Sequence, residues 1–161
     1  MAAAPSWNLG FLTVLHEPTG YVGGYLVTNQ WGRPLEFRLS TAVQPNRVQQ
    51  ILYGDFLEPY LYADLIGKTL IDKTASSAHM VVTDKKAALD LRLRLDVPVL
   101  LVERGGEGTP DLQHHPRFPE DGGHMRELLD RVNGILDLAE PFARVRGAIA
   151  ETRKLGVAHR G

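Results

Sequence analysis

The chain has 161 residues, 43% of them hydrophobic, which is enough for one well-filled core and too few for two comfortable domains. With 18 Lys and Arg against 19 Asp and Glu, its formal charge of −1 lacks the basic excess of a dedicated polyanion binder. The absence of cysteine excludes disulfides, thiolate chemistry and cysteine-ligated zinc or iron–sulfur centres.

Residues 1–7 have neither the basic n-region nor the apolar h-region of a secretory signal, and no run approaches the ~18 apolar residues of a membrane span. The expected location is the cytoplasm, without a membrane partner. Leu9 to Glu17 reads as a first strand, and Pro18-Thr-Gly20 as a turn into a second strand over Tyr21 to Thr28. Gly23-Gly24 interrupts that strand, marking either a bulge, the commoner event, or the close approach of another backbone or ligand. Asn29 to Gly32 supplies turn chemistry. Beyond it Leu35, Phe37 and Leu39 alternate with Glu36, Arg38 and Ser40, the period of a strand with one buried and one polar face. Three strands with short connections make a meander.

After Val43 the period changes from 2 to 3.6. Pro45-Asn46 starts a helix in which Val48, Ile51 and Leu52 share a face. Gly54-Asp55 breaks or bends it, with Asp55 as the N-cap of a second helix whose Leu57, Leu61 and Leu65, and further along Leu70, line one side. This segment, up to about Lys73, is expected to lie across the meander, with Tyr53, Tyr60 and Tyr62 at its border. Thr74 to Ser77 is a loop and Met80 to Thr83 a short strand. Asp84 is placed to cap a short helix through about Leu91, and Val97 to Val102 forms a strand with Pro98 near its start. That strand, helix, strand unit has a connection barely long enough for a parallel crossover.

Eight Gly and Pro residues punctuate Arg104 to Gly123, which reads as a linker. Leu128, Val132, Ile135 and Ala139 then form a helical stripe. Pro141 bends or restarts the helix, and Phe142, Val145 and Ile149 continue the apolar face. Such an arm can fold back on the core or pack on a second chain. The expected architecture is α+β: an antiparallel β-meander extended into a mixed sheet, covered by a long helical segment, with a C-terminal helical arm. Its expected divisions are a core over 1–103, a flexible Gly/Pro/His linker over 104–123 and an amphipathic arm over 124–161. The order of elements resembles that of small profilin-like or longin-like interaction domains; no motif is shared, and no site residue is carried over.

His114, His115 and His124, near Asp111, Glu120 and Asp121, have metal-capable side chains, but their spacing fits no defined motif, so solvated linker histidines are expected and no metal or cofactor is assigned. Glu36 and Arg38 share the polar face of the third strand. With Glu17, His16 and Arg33 they could form an acid/base cluster, although cross-strand charge pairing is commoner. No nucleophile elbow, phosphate loop, zincin helix or deaminase pattern occurs. Trp31 and Arg33 at the hairpin tip are residue types that dominate protein interfaces, with local packing as the bland alternative. Arg144, Arg146, Arg153, Lys154 and Arg160 face only Glu151 over the last segment, which invites a nucleic-acid reading without an aromatic stacking platform.

Together these features point to a non-catalytic interaction or assembly module that joins a protein partner or a second copy of itself. The interaction residues are Trp31, Arg33, Glu36 and Arg38 on the hairpin and Leu128, Val132 and Ile135 on the arm. A small hydrolase or nuclease-associated subunit using the polar face of the Arg33 to Arg38 strand is the alternative. A nucleic-acid-binding accessory protein is the second alternative.

Overall fold

The computed structural model describes residues 7–104 and 110–160. Its strands are β1 (Leu9–Glu17), β2 (Gly20–Thr28), β3 (Pro34–Leu39), β4 (Met80–Thr83), β5 (Val99–Arg104) and β6 (Pro110–His114). The helices are α1 (Arg47–Tyr53), α2 (residues 57–73), α3 (Asp121–Val132) and α4 (Glu140–Arg160), and a 3-10 segment spans Lys86–Arg94. They form an α+β fold around a six-stranded mixed sheet in the order β3-β2-β1-β4-β5-β6. β1, β2 and β3 make the antiparallel meander. β4 joins β1 in parallel, β5 joins β4 in parallel, and β6 closes the far edge antiparallel to β5. The 3-10 segment therefore completes a parallel crossover.

Both faces of the sheet are covered. On one, Leu12, Val14, Tyr25 and Val27 meet Leu61, Ile66 and Leu70 of α2 and Leu89 and Leu91 of the 3-10 segment. On the other, Leu9, Phe11, Val82, Leu100 and Val102 meet Leu128, Val132 and Phe142, while Val22 and Leu26 meet Val145 and Ile149. This two-sided burial explains why β1, β2 and β5 read as nearly continuous apolar runs. The arm folds back on the core.

The middle of α2, Tyr60–Gly67, is π-helical, with the Lys68 N–H bonding Ala63 O. The wider turn carries the apolar face from Leu61 to Ile66 and then Leu70, while Leu57 and Leu65 are only half-buried. Asn46 and Gln49 form a reciprocal capping box that starts α1, as its Pro-Asn signal predicts. Asp55 caps no helix; the residue before Leu57–Pro59 is Phe56, which has no capping side chain.

Four expectations give way to the structure. Gly23-Gly24 is no bulge between β1 and β2, whose register runs unbroken from Leu9↔Thr28 to Glu17↔Gly20. Instead a Cβ at Gly23 would collide with Ile66 of α2, and one at Gly24 with Val145 of α4, so the pair lets a helix approach each face. Val48, Ile51 and Leu52 of α1 do not join the helical layer: α1 has no buried residue, because α2 already fills that face. On β3, Leu35 and Phe37 stay 46% and 37% exposed, since β3 is an edge strand that the helices only partly cover. Finally, the described part of the expected linker holds β6 and the start of α3, with Leu112 docked against the core. Residues 105–109 lie outside the described residues.

Gly24→Ala should destabilise the fold by about 1–3 kcal/mol through overpacking. Gly147→Ala, on the exposed side of α4 where a Cβ meets nothing within 4 Å, should stabilise it by about 0.5–1 kcal/mol. Urea unfolding followed by circular dichroism checks both, and equal effects of the two substitutions would contradict the two-sided packing of β2.

Candidate functional site

The hairpin tip is a rigid platform. Asn29 Oδ1 accepts from the Trp31 and Arg33 backbone N–H groups, both at 3.0 Å, an Asx-type closure of the turn. Gly32 takes φ 88°, a conformation that favours glycine, and a Cβ there would press on Leu136. Arg144 of α4 donates to Gly32 O at 2.8 Å and pairs with Glu140, so the tip is tied to the C-terminal helix. Trp31 on this platform is 63% exposed, and Arg33 beside it is exposed. Ile135, next to Leu136 across the same contact, is 50% exposed. Trp31 and Arg33 thus sit side by side at the tip, with Leu136, the neighbour of Ile135, against Gly32. Leu128 and Val132 are instead 0% and 4% exposed beneath α3, where a partner could reach them only by displacing that helix.

Glu36 and Arg38 are drawn into structure. The Glu36 carboxylate accepts from the Ser76 and Ala75 backbone N–H groups at 2.9 and 3.1 Å and pairs with Arg38 at 2.8 Å. The Ser76 N–H is the main cause that lowers this carboxyl to about 2; desolvation opposes it, and Ala75, the Ser76 side chain and Arg38 reinforce it. Glu36 therefore clamps β3 to the loop before β4. His16 is stacked on Tyr21 at 4.0 Å, and Glu17 is paired with Arg153. The expected acid/base cluster is dispersed among separate partners. Burial, then Glu58 and Tyr21, push the Tyr62 phenol up to about 12, and burial holds Tyr25 higher still, so neither serves as a base near neutrality.

In sheets with parallel strands, ligands gather beyond the carboxyl ends of those strands. Here Asp84 follows β4. It caps nothing, since the residue before the 3-10 segment is Lys85. Its Oδ1 accepts from Thr13 Oγ1 at 2.7 Å and its Oδ2 from Arg146 Nη1 at 3.0 Å. A cleft of about 410 Å³ adjoins it, lined by Val102, Glu103, Ala139 and Phe142 as well as Asp84 and Arg146. Glu103 at its rim accepts from Gln113 at 3.1 Å. With each Asp84 oxygen engaged and its charge balanced by a guanidinium, the arrangement staples α4 to β1 and β4 and presents no free base. Sequence reasoning missed this group; the polar Thr13 within the apolar run of β1 was its one signal.

The histidines are also separated. His115, 6% exposed, bonds Asp90 through Nε2 at 2.9 Å and accepts from the Arg117 N–H at Nδ1, while His114 Nδ1 contacts His115 O. Asp121 pairs with Arg92 at 2.9 Å, and the Arg92 guanidinium lies 3.9 Å over the Phe118 ring. Among the described residues no three His, Asp or Glu side chains converge on a common point. Four basic residues of α4 are paired: Arg144 with Glu140, Arg146 with Asp84, Arg153 with Glu17 and Lys154 with Glu151. These pairings leave little concentrated positive charge for a phosphate backbone. No described helix is long and apolar enough to cross a membrane.

No protein-family model matches the chain, and no curated protein matches it. Among solved structures, it is similar to endonuclease V of Ciona intestinalis in complex with an inosine-containing DNA, at 13% identity and a TM-score of 0.41. That match covers 79% of this chain and 54% of the endonuclease. It is also similar to Argonaute of Marinitoga piezophila in complex with a guide RNA, at 13% identity and a TM-score of 0.32, over 60% of this chain and 16% of Argonaute. The chain thus spans about half the length of the endonuclease, and likenesses this slight do not bear on what it binds.

Proposed function

We propose that this chain is a non-catalytic protein-interaction or assembly module whose hairpin tip is a docking element. The observation that carries this reading is Trp31, 63% exposed on a turn braced by Asn29, Gly32 and Arg144. The backbone of this turn is already fixed, so docking there orders little further chain, and an exposed Trp is the residue type that most often anchors an interface. Arg33 beside it and the partly uncovered Leu35 and Phe37 extend the same surface type along the β3 edge. The hydrolase alternative gains no comparable support, because Glu36 and Arg38 are consumed by each other and by the Ala75 and Ser76 amides.

With a partner identified by mass spectrometry of complexes isolated through the tagged chain, the purified pair should bind at least about tenfold more weakly with Trp31→Ala, an effect of hot-spot size. The melting temperature of the variant should be unchanged, since Trp31 fills no core position. Calorimetric affinity unaltered by the substitution would remove the tip from the interface. Glu36→Gln gives the complementary measurement. The folded carboxyl lies below its ordinary 4.5, so its stabilisation is present above about pH 4.5 and fades as the pH falls towards 2. The variant should lose that part of the acid dependence of urea stability while leaving binding intact. An unchanged acid dependence would show that Glu36 is no clamp.

A further inference from the structure

Helix α1 is an amphipathic helix turned outward. Val48, Ile51, Leu52 and Phe56 are 63, 66, 76 and 76% exposed, whereas its less exposed positions are Gln49 and Tyr53. The Tyr53 ring stacks on Tyr60 at 4.5 Å, which fixes the side that faces the molecule. The polar side of α1 therefore points inward, and three apolar residues at i, i+3 and i+4, with Phe56 one turn on, point into water. Gly54, at φ 52°, ends the helix, and clefts of about 610 and 520 Å³ flank Leu57 just beyond it, so α1 stands off the body of the fold. Contiguous exposed apolar surface of this kind marks a binding site.

We infer that this stripe is the seat of a two-fold homodimer in which the α1 helices of two copies pack antiparallel. The inference rests on the assembly reading above and names its partner: a second copy of this chain. Charge placement favours that occupant. Arg47 opens α1, while Asp55 and Glu58 follow its end; all three are exposed and have no ion-pair partner among the described residues. A two-fold axis near Ile51 and Leu52 sets Arg47 of one copy opposite Asp55 and Phe56 of the other. The pattern is complementary to itself only in the antiparallel sense; a parallel pair would oppose like charges. The area also suffices. At these exposures the four side chains offer about 500 Å² per copy, hence about 1,000 Å² in the pair, the lower bound of a specific interface. At this lower size limit the dimer is expected to be reversible, so it is sought by dilution across the micromolar range.

Sedimentation equilibrium of the full chain tests this directly. The wild type should approach twice the chain mass at about 50 μM and fall towards monomer on dilution to about 0.5 μM. Leu52→Asp and, separately, Phe56→Ser should weaken the dimer at least about tenfold with unchanged circular dichroism, because neither side chain is part of the core. Arg47→Glu should also weaken it, and combining that change with Asp55→Lys should restore it, a rescue that only antiparallel pairing provides. Trp31→Ala should leave the dimer intact. A wild type that stays monomeric at about 100 μM, or a dimer unmoved by Leu52→Asp, overturns the inference. A dimer lost with Trp31→Ala but kept with Leu52→Asp also overturns it, while leaving the hairpin tip as the self-association site.

Discussion

A missing side chain governs how this fold is assembled. β2 is buried along its whole length between two helical layers, and Gly23 and Gly24 at its middle have no Cβ to hold those layers apart. Ile66 of α2 takes the space on one side, and Val145 and Ile149 of α4 take it on the other. Two helices can thus cross the same point of the sheet at close range. α4 in turn bridges β1 and β2 and carries Arg144, Arg146 and Arg153, which reach the hairpin tip, Asp84 and Glu17. The presentation of Trp31 follows from that closeness: if α4 stood farther from β2, Arg144 would lose Gly32 O.

Charged groups in this chain act mainly as fasteners between elements distant in sequence. Glu36 joins β3 to the loop after α2, Asp84 joins β4 to α4, and Arg92 joins the 3-10 segment to the start of α3. The last is the most deeply placed, with Asp121 1% and Arg92 13% exposed, and breaking such a pair leaves an uncompensated buried charge. Carboxylates and guanidinia committed in this way are poor candidates for acid–base work.

Much of the secondary structure was legible because period and turn chemistry mark where elements lie even when, as on β3 and α1, the apolar side they imply stays exposed. The alternation around Phe37, the Gly-centred turns and the Pro-Asn helix start each reflect a local backbone preference, and the corresponding elements form where those preferences put them. The strand, helix, strand order signalled the parallel pairing of β4 with β5 and the mixed sheet, whereas the pairing of β4 with β1 was not legible, because it depends on contacts between strands far apart in sequence. β6 was hidden for another reason: in Pro110 to His114 only Leu112 is apolar, and an edge strand with one docked side chain leaves no periodic signal. At the candidate sites, the exposure of Trp31 agreed with its turn chemistry. The direction of α1 could not be foreseen, since an amphipathic pattern specifies that a helix has an apolar side and is silent on what that side meets. Asp84 was misassigned because an Asp before a short helix usually caps it; Thr13 and Arg146 outcompeted the helix for its oxygens.

The position of α4 in the chain order has a consequence for how the protein is made. During synthesis the meander and the parallel strands emerge first, and one face of the growing sheet can be covered at once by α2 and the 3-10 segment. The opposite face gains its first cover only with Leu128 and Val132 of α3, and its part around Val22 and Leu26 has none until residues 140–149 leave the ribosome. At synthesis rates of about 5–20 residues per second that interval lasts several seconds, long compared with hydrophobic collapse. A greasy, flat and partly formed sheet is then exposed beside the free edge of β3. The nascent chain, rather than the finished molecule, is where this fold is most exposed to misassociation and most dependent on a chaperone.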